Sequence, residues 1–451
     1  MRVRFGPLSL LVLATALSGG CQSPRHAPDG QGARSSASVP RVLNRAAQSY
    51  VTWTLAFGEL TAGGPAGSAG YLDQPYYGPP AWDHDADVTP TSVRRIETQA
   101  AQLADRLADD AAGQDGERRR FLEAQLRSLS ARARMVASPS PAPGFDAEAT
   151  TILGVAPPPF SAAAEQEARR RLDVLLPGHG PLAARYVAFE RRLLIPAPHL
   201  PAVIDAAVQG CRAQTQPHVP LPPDEHLEIE YVSGEAWNAD AEYRAHDRSV
   251  MRVDVDHPMT VERALELACH EGYPGHHVFD LLADQRLVKG KGWQELTLRP
   301  ASSPAGFAAE AVASFAPDVA FPGASRVAFE RDVLAPLAGI SGADLERADQ
   351  IRQATDALAP AIVAIARDYL DGRLDAASAR RALAERAAQP DPEAMLRFID
   401  RYRTYVIAYT MGRQLVRQYV ESRGGTVDQP DRRWKIYGEL LGQPVLPKDL
   451  R

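Results

Sequence analysis

The sequence predicts a mainly α-helical protein with a small β-ribbon, and two observations carry that prediction. Amphipathic or Ala/Leu/Arg-rich segments recur along the chain, separated by short breaks marked by Pro or Gly. Strand-like runs are few, chiefly 227–232 and 249–256, and polar and apolar residues alternate through the second from Arg252 to Asp256. Because 45% of the residues are hydrophobic and 24% are charged, the chain has the composition of a globular protein with a large core.

The N-terminus predicts an exported protein. Arg2 and Arg4 precede an apolar run from 8 to 17, which is too short to cross a bilayer as a helix, and small residues follow at 18–20. The run leads to Cys21 and resembles a bacterial lipobox, whose cysteine is acylated and becomes the mature N-terminus. We expect a signal peptide at 1–21, a flexible linker rich in Ser, Pro, Gly and Ala at 22–40, and a periplasmic or cell-envelope lipoprotein anchored to the membrane through Cys21. Plain secretion, with Cys21 incidental, is the alternative.

The remaining chain, 41–451, is predicted to be one helical domain. The predicted helices cover 41–62, 91–112, 115–136, 163–175, 180–193, 199–214, 259–273, 276–287, 305–316, 323–338, 343–373, 375–388 and 391–421. A net charge of −6 and a pI near 6.0 argue against a nucleic-acid partner, because phosphate binding needs a concentrated basic face. Cys211 and Cys269 could form a disulfide in an oxidising periplasm.

Three imidazoles and a carboxylate lie together where the predicted helix 259–273 ends. His270, His276 and His277 fall within eight residues, and Glu271 follows the first of them directly. Neutral imidazole nitrogen is the commonest zinc donor, and a carboxylate beside the first ligand is where zinc peptidases keep the base that activates water. The segment therefore predicts hydrolytic metal chemistry.

This segment departs from the plain H-E-x-x-H pattern, because Pro274 occupies the place of the second histidine. In a regular helix, residues six apart are separated by about 9 Å and turned about 120° from each other, so His270 and His276 could not share one ion. Pro274 lacks an amide hydrogen and would clash with the carbonyl of residue 270, and Gly275 can adopt backbone angles closed to other residues. We therefore expect the helix to stop near 273 and His276 to serve as the second ligand. His277 is expected beside the ligands or at the substrate, although the sequence leaves open which of the two adjacent histidines binds metal.

Three segments carry a resemblance to a known family. HEGYPGHH at 270–277 resembles the HExxPGHH motif of the domain of unknown function 885 family, bacterial proteins that include many lipoproteins and resemble helical zinc metallopeptidases. EAVASF at 310–315 is similar to the family's E-G-W-A-x-Y segment, and YVIAYTMGR at 405–413 is similar to its Q-A-x-x-Y-x-x-G segment. The resemblance runs from roughly residue 40 to the C-terminus. It implies a zincin-like helical metallopeptidase with the β-ribbon beside the active-site helix.

The residues and the resemblance together indicate the rest of the site. Glu310 is a single acid in the Ala-rich segment 305–316, where burial is costly unless the acid is paired or bound to metal, and it would complete a His2Glu zinc set. An ordinary salt bridge is the alternative for Glu310. The family match further implies Tyr409 as a donor to an oxyanion and Arg413, four residues later, as a cation for a substrate carboxylate. Ordinary packing and a solvated surface charge are the alternatives for those two residues.

These features predict a zinc-dependent hydrolase, in first place a peptidase acting on short peptides or amides. Zinc would be held by His270, His276 and Glu310, and Glu271 would act as general base. The strand at 249–256 is expected to border the cleft and could bind substrate backbone by strand addition. Two alternatives remain. A non-haem iron oxygenase uses the same 2-His-1-carboxylate set but has no task for Glu271. A lipoprotein that binds metal without turnover is the other.

Overall fold

The computed structural model describes residues 38–62, 72–83, 90–109, 115–138, 143–234 and 237–451. Its α-helices are α1 (Ser38–Ala62), α2 (Pro90–Asp109), α3 (Gly116–Ala137), α4 (Phe145–Glu148), α5 (Ala162–Leu175), α6 (Leu182–Glu190), α7 (Leu200–Thr215), α8 (Val261–Leu267), α9 (His276–Ala283), α10 (Pro304–Ala320), α11 (Ala324–Phe329), α12 (Ala335–Ala338), α13 (Leu345–Asp356), α14 (Ala359–Leu370), α15 (Ala376–Arg386), α16 (Pro392–Tyr402), α17 (Arg413–Ser422) and α18 (Pro430–Gly438). The expected mainly helical protein with a small sheet is confirmed.

Among the described residues, no helix combines the length and the apolar character that crossing a bilayer requires. The predicted signal peptide and Cys21 lie outside the described residues.

Most predicted helices agree with the structure to within a few residues, and the differences fall at local breaks. The predicted helix 343–373 divides into α13 and α14, and Pro360 lies in the first turn of α14, where its missing amide hydrogen costs nothing. The predicted helix 391–421 divides after α16, where Arg403 adopts a φ of 50° and donates a hydrogen bond of 2.7 Å to buried Glu148. A π-helical turn at Ala408–Gly412 then leads into α17. The segment that forms α18 was not predicted to be helical.

The strands form two small sheets. β1 (Leu72–Gln74) pairs with β5 (Arg299–Pro300), and β2 (His226–Val232), β3 (Ala239–Tyr243) and β4 (Arg248–Asp254) form a sheet in the order β2-β4-β3. β4 is parallel to β2 and antiparallel to β3, so both of its backbone edges are already hydrogen-bonded. The predicted strand 249–256 therefore exists, but the expectation that it could pair with substrate backbone is wrong, because it is the central strand. β3 is the edge strand that packs against α9.

Among the described residues, the buried hydrophobic side chains form two clusters. The smaller includes Phe57, Leu122 and Leu126 and lies among α1, α2 and α3. The larger extends from α4 to the C-terminal helices and contains the buried faces of α7, α8, α9 and α10. A buried ion pair joins α3 to the turn that contains Glu295, which precedes β5 and α10. Arg118 on α3 donates hydrogen bonds of 2.6 and 2.8 Å to the carboxylate of Glu295. For the candidate site, this layout means that α7, α8, α9 and α10 are held within one core.

Candidate metal centre

Two histidines and a glutamate meet between the end of α8, the start of α9 and the middle of α10. The Nε2 atom of His270 lies 3.1 Å from one carboxylate oxygen of Glu310, and the Nε2 atom of His276 lies 3.4 Å from the other. Potential ligand atoms of the three side chains all fall within 4.8 Å of one another. In the part of the chain that the structure describes, this is the one group of three or more such side chains close enough to hold an ion.

The chain brings the histidines together by ending one helix and starting another. α8 widens into a π-helical turn at Ala268–Gly272, Tyr273 leaves the helix with extended backbone angles, and α9 begins at His276. The Tyr273–Pro274 peptide bond is cis. The rings of His270 and His276 lie 4.9 Å apart between centroids and nearly perpendicular. The predicted interruption near 273 is confirmed, as is the convergence of these two imidazoles.

Gly275 allows the break to be this tight. Its amide donates a hydrogen bond of 3.0 Å to the carbonyl oxygen of Cys269. A Cβ atom at this position would lie 1.8 Å from the carbonyl oxygen of His270 and 2.5 Å from that of Cys269. Both obstacles are backbone atoms, which cannot rotate away, so the close approach requires glycine.

The geometry fits a small divalent cation. With ligand distances of about 2.0–2.2 Å, neighbouring donors of a tetrahedral zinc site lie about 3.3–3.6 Å apart. The two measured separations from Glu310 to the imidazoles, 3.1 and 3.4 Å, are close to that spacing. Glu310 and His276 are buried, whereas the side chain of His270 keeps 12% of its surface exposed, so one side of the cluster remains accessible to solvent. Two imidazoles and one carboxylate are a standard ligand set of catalytic zinc.

Glu271 lies beside this cluster. Its carboxylate is 3.9 Å from the Nε2 atom of His270, and its side chain is 7% exposed. Burial raises the pKa of Glu271 to about 7, with smaller contributions from the charges of Glu310 and Asp240, and against the lowering effect of the two imidazoles. For Glu310, burial acts to raise the pKa, but the charges and hydrogen bonds of His270 and His276 outweigh it and hold the pKa well below its usual range. Glu310 is thus stabilised as an anion, whereas the pKa of Glu271 lies close to neutral pH.

His277 belongs to a different, fully buried network. Its Nε2 atom lies 2.9 Å from the carboxylate of Glu225, and its Nδ1 atom lies 2.8 Å from the hydroxyl oxygen of Ser249 on β4. With both ring nitrogens engaged and only 1% of its surface exposed, His277 is not available to an ion or a substrate in this arrangement. Of the two adjacent histidines, His276 is therefore the one beside Glu310. His277 was expected beside the ligands or at the substrate, and its burial excludes the second of these places.

Glu225 is the member of this region that sequence reasoning missed. One carboxylate oxygen accepts hydrogen bonds from the guanidinium of Arg212 at 2.6 and 2.8 Å, and the other accepts from the hydroxyl of Tyr273 at 2.7 Å and from His277. Burial acts to raise the pKa of Glu225, but hydrogen bonds from His277, Tyr273 and Arg212 outweigh it and lower the pKa to about 2. No local pattern could have indicated these contacts, because Glu225 precedes His277 by 52 residues.

A disulfide holds the first histidine from the other side. Cys211 on α7 is bonded to Cys269, the residue directly before His270, across 58 residues of chain. Both cysteines are fully buried. The pairing that the sequence allowed is present, and it attaches the π-helical turn to α7 next to Arg212.

The two residues that the family resemblance added, Tyr409 and Arg413, have different surroundings. Tyr409 is 48% exposed and packs edge-on against the rings of Phe398 and Tyr405. Arg413 donates hydrogen bonds of 2.6 and 2.9 Å to Asp318. Burial acts to lower the pKa of Arg413, but the negative charge of Asp318 and these hydrogen bonds raise it above its usual value. Because its guanidinium is already paired with Asp318, Arg413 is assigned to a structural ion pair and not to substrate binding.

Gly412 explains how the Tyr409 segment packs closely against the helix that carries Glu310. A Cβ atom on Gly412 would lie 2.9 Å from both the Cα and the Cβ atom of Ala311. Ala311 directly follows Glu310 on α10. The glycine therefore permits close packing of the π-helical turn Ala408–Gly412 against the centre of α10.

The chain is similar to the crystal structure of a putative lipoprotein from Colwellia psychrerythraea, with a TM-score of 0.49, 15% sequence identity, and coverage of 82% of this chain and 69% of that chain. No protein-family model matches the chain. No curated protein sequence matches it either.

Proposed function

We propose that the protein is a zinc-dependent hydrolase, and specifically a peptidase acting on short peptides. The observation that carries this proposal is the convergence of His270, His276 and Glu310, with potential ligand atoms within 4.8 Å of one another and Glu271 directly beside them. We also propose that the helical fold is zincin-like, as the resemblance to the HExxPGHH motif implies. A short-peptide substrate follows from that resemblance.

In the proposed mechanism, each side chain has a separate task. His270, His276 and Glu310 would hold the zinc, which when bound would act as a Lewis acid and make water nucleophilic near neutral pH. Glu271 takes a proton from the attacking water and later delivers it to the leaving amine. Its carboxylate lies 3.9 Å from the Nε2 atom of the partly exposed His270, and this is the side from which water would enter the cluster.

Tyr409 is the proposed donor to the tetrahedral oxyanion. Its half-exposed side chain is accessible to a substrate, and its segment packs on α10 next to Glu310 through Gly412. Removing one donor to an oxyanion typically slows the chemical step about 10²–10³-fold. Tyr409→Phe is therefore expected to lower kcat with little change in KM, as measured by steady-state kinetics on any peptide that the wild type cleaves.

Glu271 favours hydrolysis over oxygenase chemistry. A non-haem iron site needs the two histidines and Glu310 but has no use for a second buried carboxylate at their side. A carboxylate at this position is, in contrast, the base that metal-assisted hydrolysis requires.

The decisive experiment combines metal analysis with a peptide-library digest. Wild type is expected to carry zinc and to cleave, whereas Glu271→Gln should keep zinc and lose about 10²–10⁴-fold in rate, the usual contribution of a general base. Glu295→Gln is the matched control, because Glu295 is also a buried carboxylate but is paired with Arg118. Iron in place of zinc would favour the oxygenase, and zinc without cleavage in the wild type would favour a metal-binding lipoprotein.

We further propose that the protein is an exported lipoprotein anchored through Cys21, on the strength of its charged start, short apolar run and small residues before the cysteine. Replacement by Cys21→Ala should prevent lipid attachment and move the protein from the membrane fraction to the soluble fraction. Metabolic labelling with a fatty acid, which should mark only the wild type, provides the check.

A further inference from the structure

Glu225 is placed at the junction of the two segments that carry the histidine ligands. Its two carboxylate oxygens each accept two hydrogen bonds, one pair from Arg212 and the other from Tyr273 and His277. An ionised carboxylate offers about four acceptor positions, so these donors fill it. The side chain is fully buried, and the position of the carboxylate is therefore determined by its partners alone.

The two donors on the second oxygen come from opposite sides of the chain break. Tyr273 is the residue at which the π-helical turn ends, three residues after His270. His277 is in the first turn of α9, directly after His276. Their rings also pack edge-on, 5.0 Å apart. One carboxylate oxygen thus joins the segment of the first proposed ligand to the segment of the second.

The remaining contacts hold this junction against the rest of the core. The guanidinium of Arg212 packs over the ring of Tyr273, 5.8 Å from its centroid, and Arg212 follows the disulfide-bonded Cys211 on α7. If the carboxylate accepts from the Nε2–H of a neutral His277 ring, Nδ1 is left to accept from the hydroxyl of Ser249 on β4. The junction is therefore attached both to α7 and to the sheet.

We propose that Glu225 is a positioning residue for the candidate metal centre, because its carboxylate sets the separation of His270 and His276 without touching the ion. This inference rests on the proposed metal site. Productive metal sites hold their ligands to within about 0.5 Å, and groups behind the ligands typically contribute 10–100-fold to metal affinity. A change in the carboxylate would alter the spacing of the two imidazoles even in a folded protein.

The test compares Glu225→Gln with Glu295→Gln in the otherwise intact chain. The glutamine has the same size, but one of its two terminal atoms is an NH2 group, which donates and cannot accept a hydrogen bond. Either the two hydrogen bonds from Arg212 are lost, or Tyr273 and His277 must stop donating and rearrange. Glu295→Gln is the control because it also disrupts a buried carboxylate–arginine pair. Both variants are assayed for zinc affinity by competition with a chromogenic chelator, for the visible spectrum of the cobalt-substituted protein, and for melting temperature.

Glu225→Gln should bind zinc 10–100-fold more weakly than wild type and show an altered cobalt spectrum, whereas Glu295→Gln should melt lower but keep both properties. Wild-type zinc affinity and an unchanged spectrum in Glu225→Gln would overturn the positioning role and leave the metal centre intact. A wild type that takes up neither zinc nor cobalt would overturn the metal centre itself and this inference with it. Should Glu225→Gln fail to fold, Tyr273→Phe removes one hydrogen bond without changing shape, and several-fold weaker zinc binding is then the expected result.

Discussion

A Cβ atom on Gly275 would lie 1.8 Å from the carbonyl oxygen of His270. This contact is between two backbone segments, so Gly275→Ala must widen the break and separate the two imidazoles. Overpacking a tight interior typically costs about 1–3 kcal/mol, and we expect a loss of unfolding free energy at the upper end of that range together with much weaker zinc binding. Chemical denaturation and a chelator competition assay measure the two effects.

Gly438→Ala is the control for that substitution. Gly438 ends α18, and a Cβ atom there has no neighbour within 4 Å. Alanine should be neutral or slightly stabilising at this position, because it costs less conformational entropy in a helix than glycine. Equal behaviour of the two alanine variants would contradict the steric role of Gly275.

Zinc should stabilise the folded protein through Glu310. A ligand that binds only the native state at one hundred times its dissociation constant adds about 2.7 kcal/mol to the free energy of unfolding. We therefore expect zinc to raise the melting temperature of metal-stripped wild type and to have little effect on Glu310→Gln, in which one proposed ligand is lost. Thermal scans with and without added zinc give the comparison, and an equal zinc-induced shift in both proteins would remove Glu310 from the site.

The Cys211–Cys269 bond should contribute to both stability and metal binding. In the chain-entropy description, closing a loop across 58 residues stabilises the folded state by about 4 kcal/mol. The double variant Cys211→Ser/Cys269→Ser is expected to lose stability of that order and to bind zinc more weakly, because Cys269 directly precedes His270. Urea titration and zinc competition on the same samples test this. Unchanged zinc affinity in the folded fraction would confine the bond to a role in stability.

The decrease in unfolding free energy at acidic pH should depend on Glu225. Its pKa is about 2 in the folded protein, against an ordinary value of 4.5. Since folding favours the ionised form, this contribution is complete above pH 4.5 and is lost as the pH falls from 4.5 towards 2. Its size is about 3 kcal/mol. The difference in unfolding free energy between wild type and Glu225→Gln, measured by urea titration with a chelator present, should therefore shrink between pH 5 and pH 3. A constant difference over that range would show that the hydrogen bonds do not lower this pKa.

Periodicity and steric rules were sufficient for much of the helical framework and for the break itself. The helix was expected to stop near 273 because Pro274 cannot continue it, and α9 begins at His276 as expected. A single acid in an apolar helix requires a partner, which indicates Glu310 from the sequence, and two imidazoles lie against it. These features depend on local chemistry, which a sequence displays directly.

What escaped prediction depends on contacts between distant segments. Glu225 precedes β2 in a polar turn and resembles any surface acid until the fold brings Tyr273 and His277 to it. Arg413 was expected to be free for a substrate, but Asp318 on α10 reaches it across 95 residues. The order of the sheet likewise follows from tertiary packing, since β3 lies outside β4 although it precedes it in sequence. No periodicity in one segment specifies the partner of another.

The disulfide beside His270 has a consequence for when the protein would become active. In the exported lipoprotein that we propose, a newly made chain first resides in a reducing compartment, where Cys211 and Cys269 are separate thiols. The turn that bears His270 would then lack its attachment to α7 until the chain has crossed the membrane. Maturation of the proposed peptide-cleaving centre would thus be delayed until the chain is outside the cytoplasm, which would shield short cytoplasmic peptides from it.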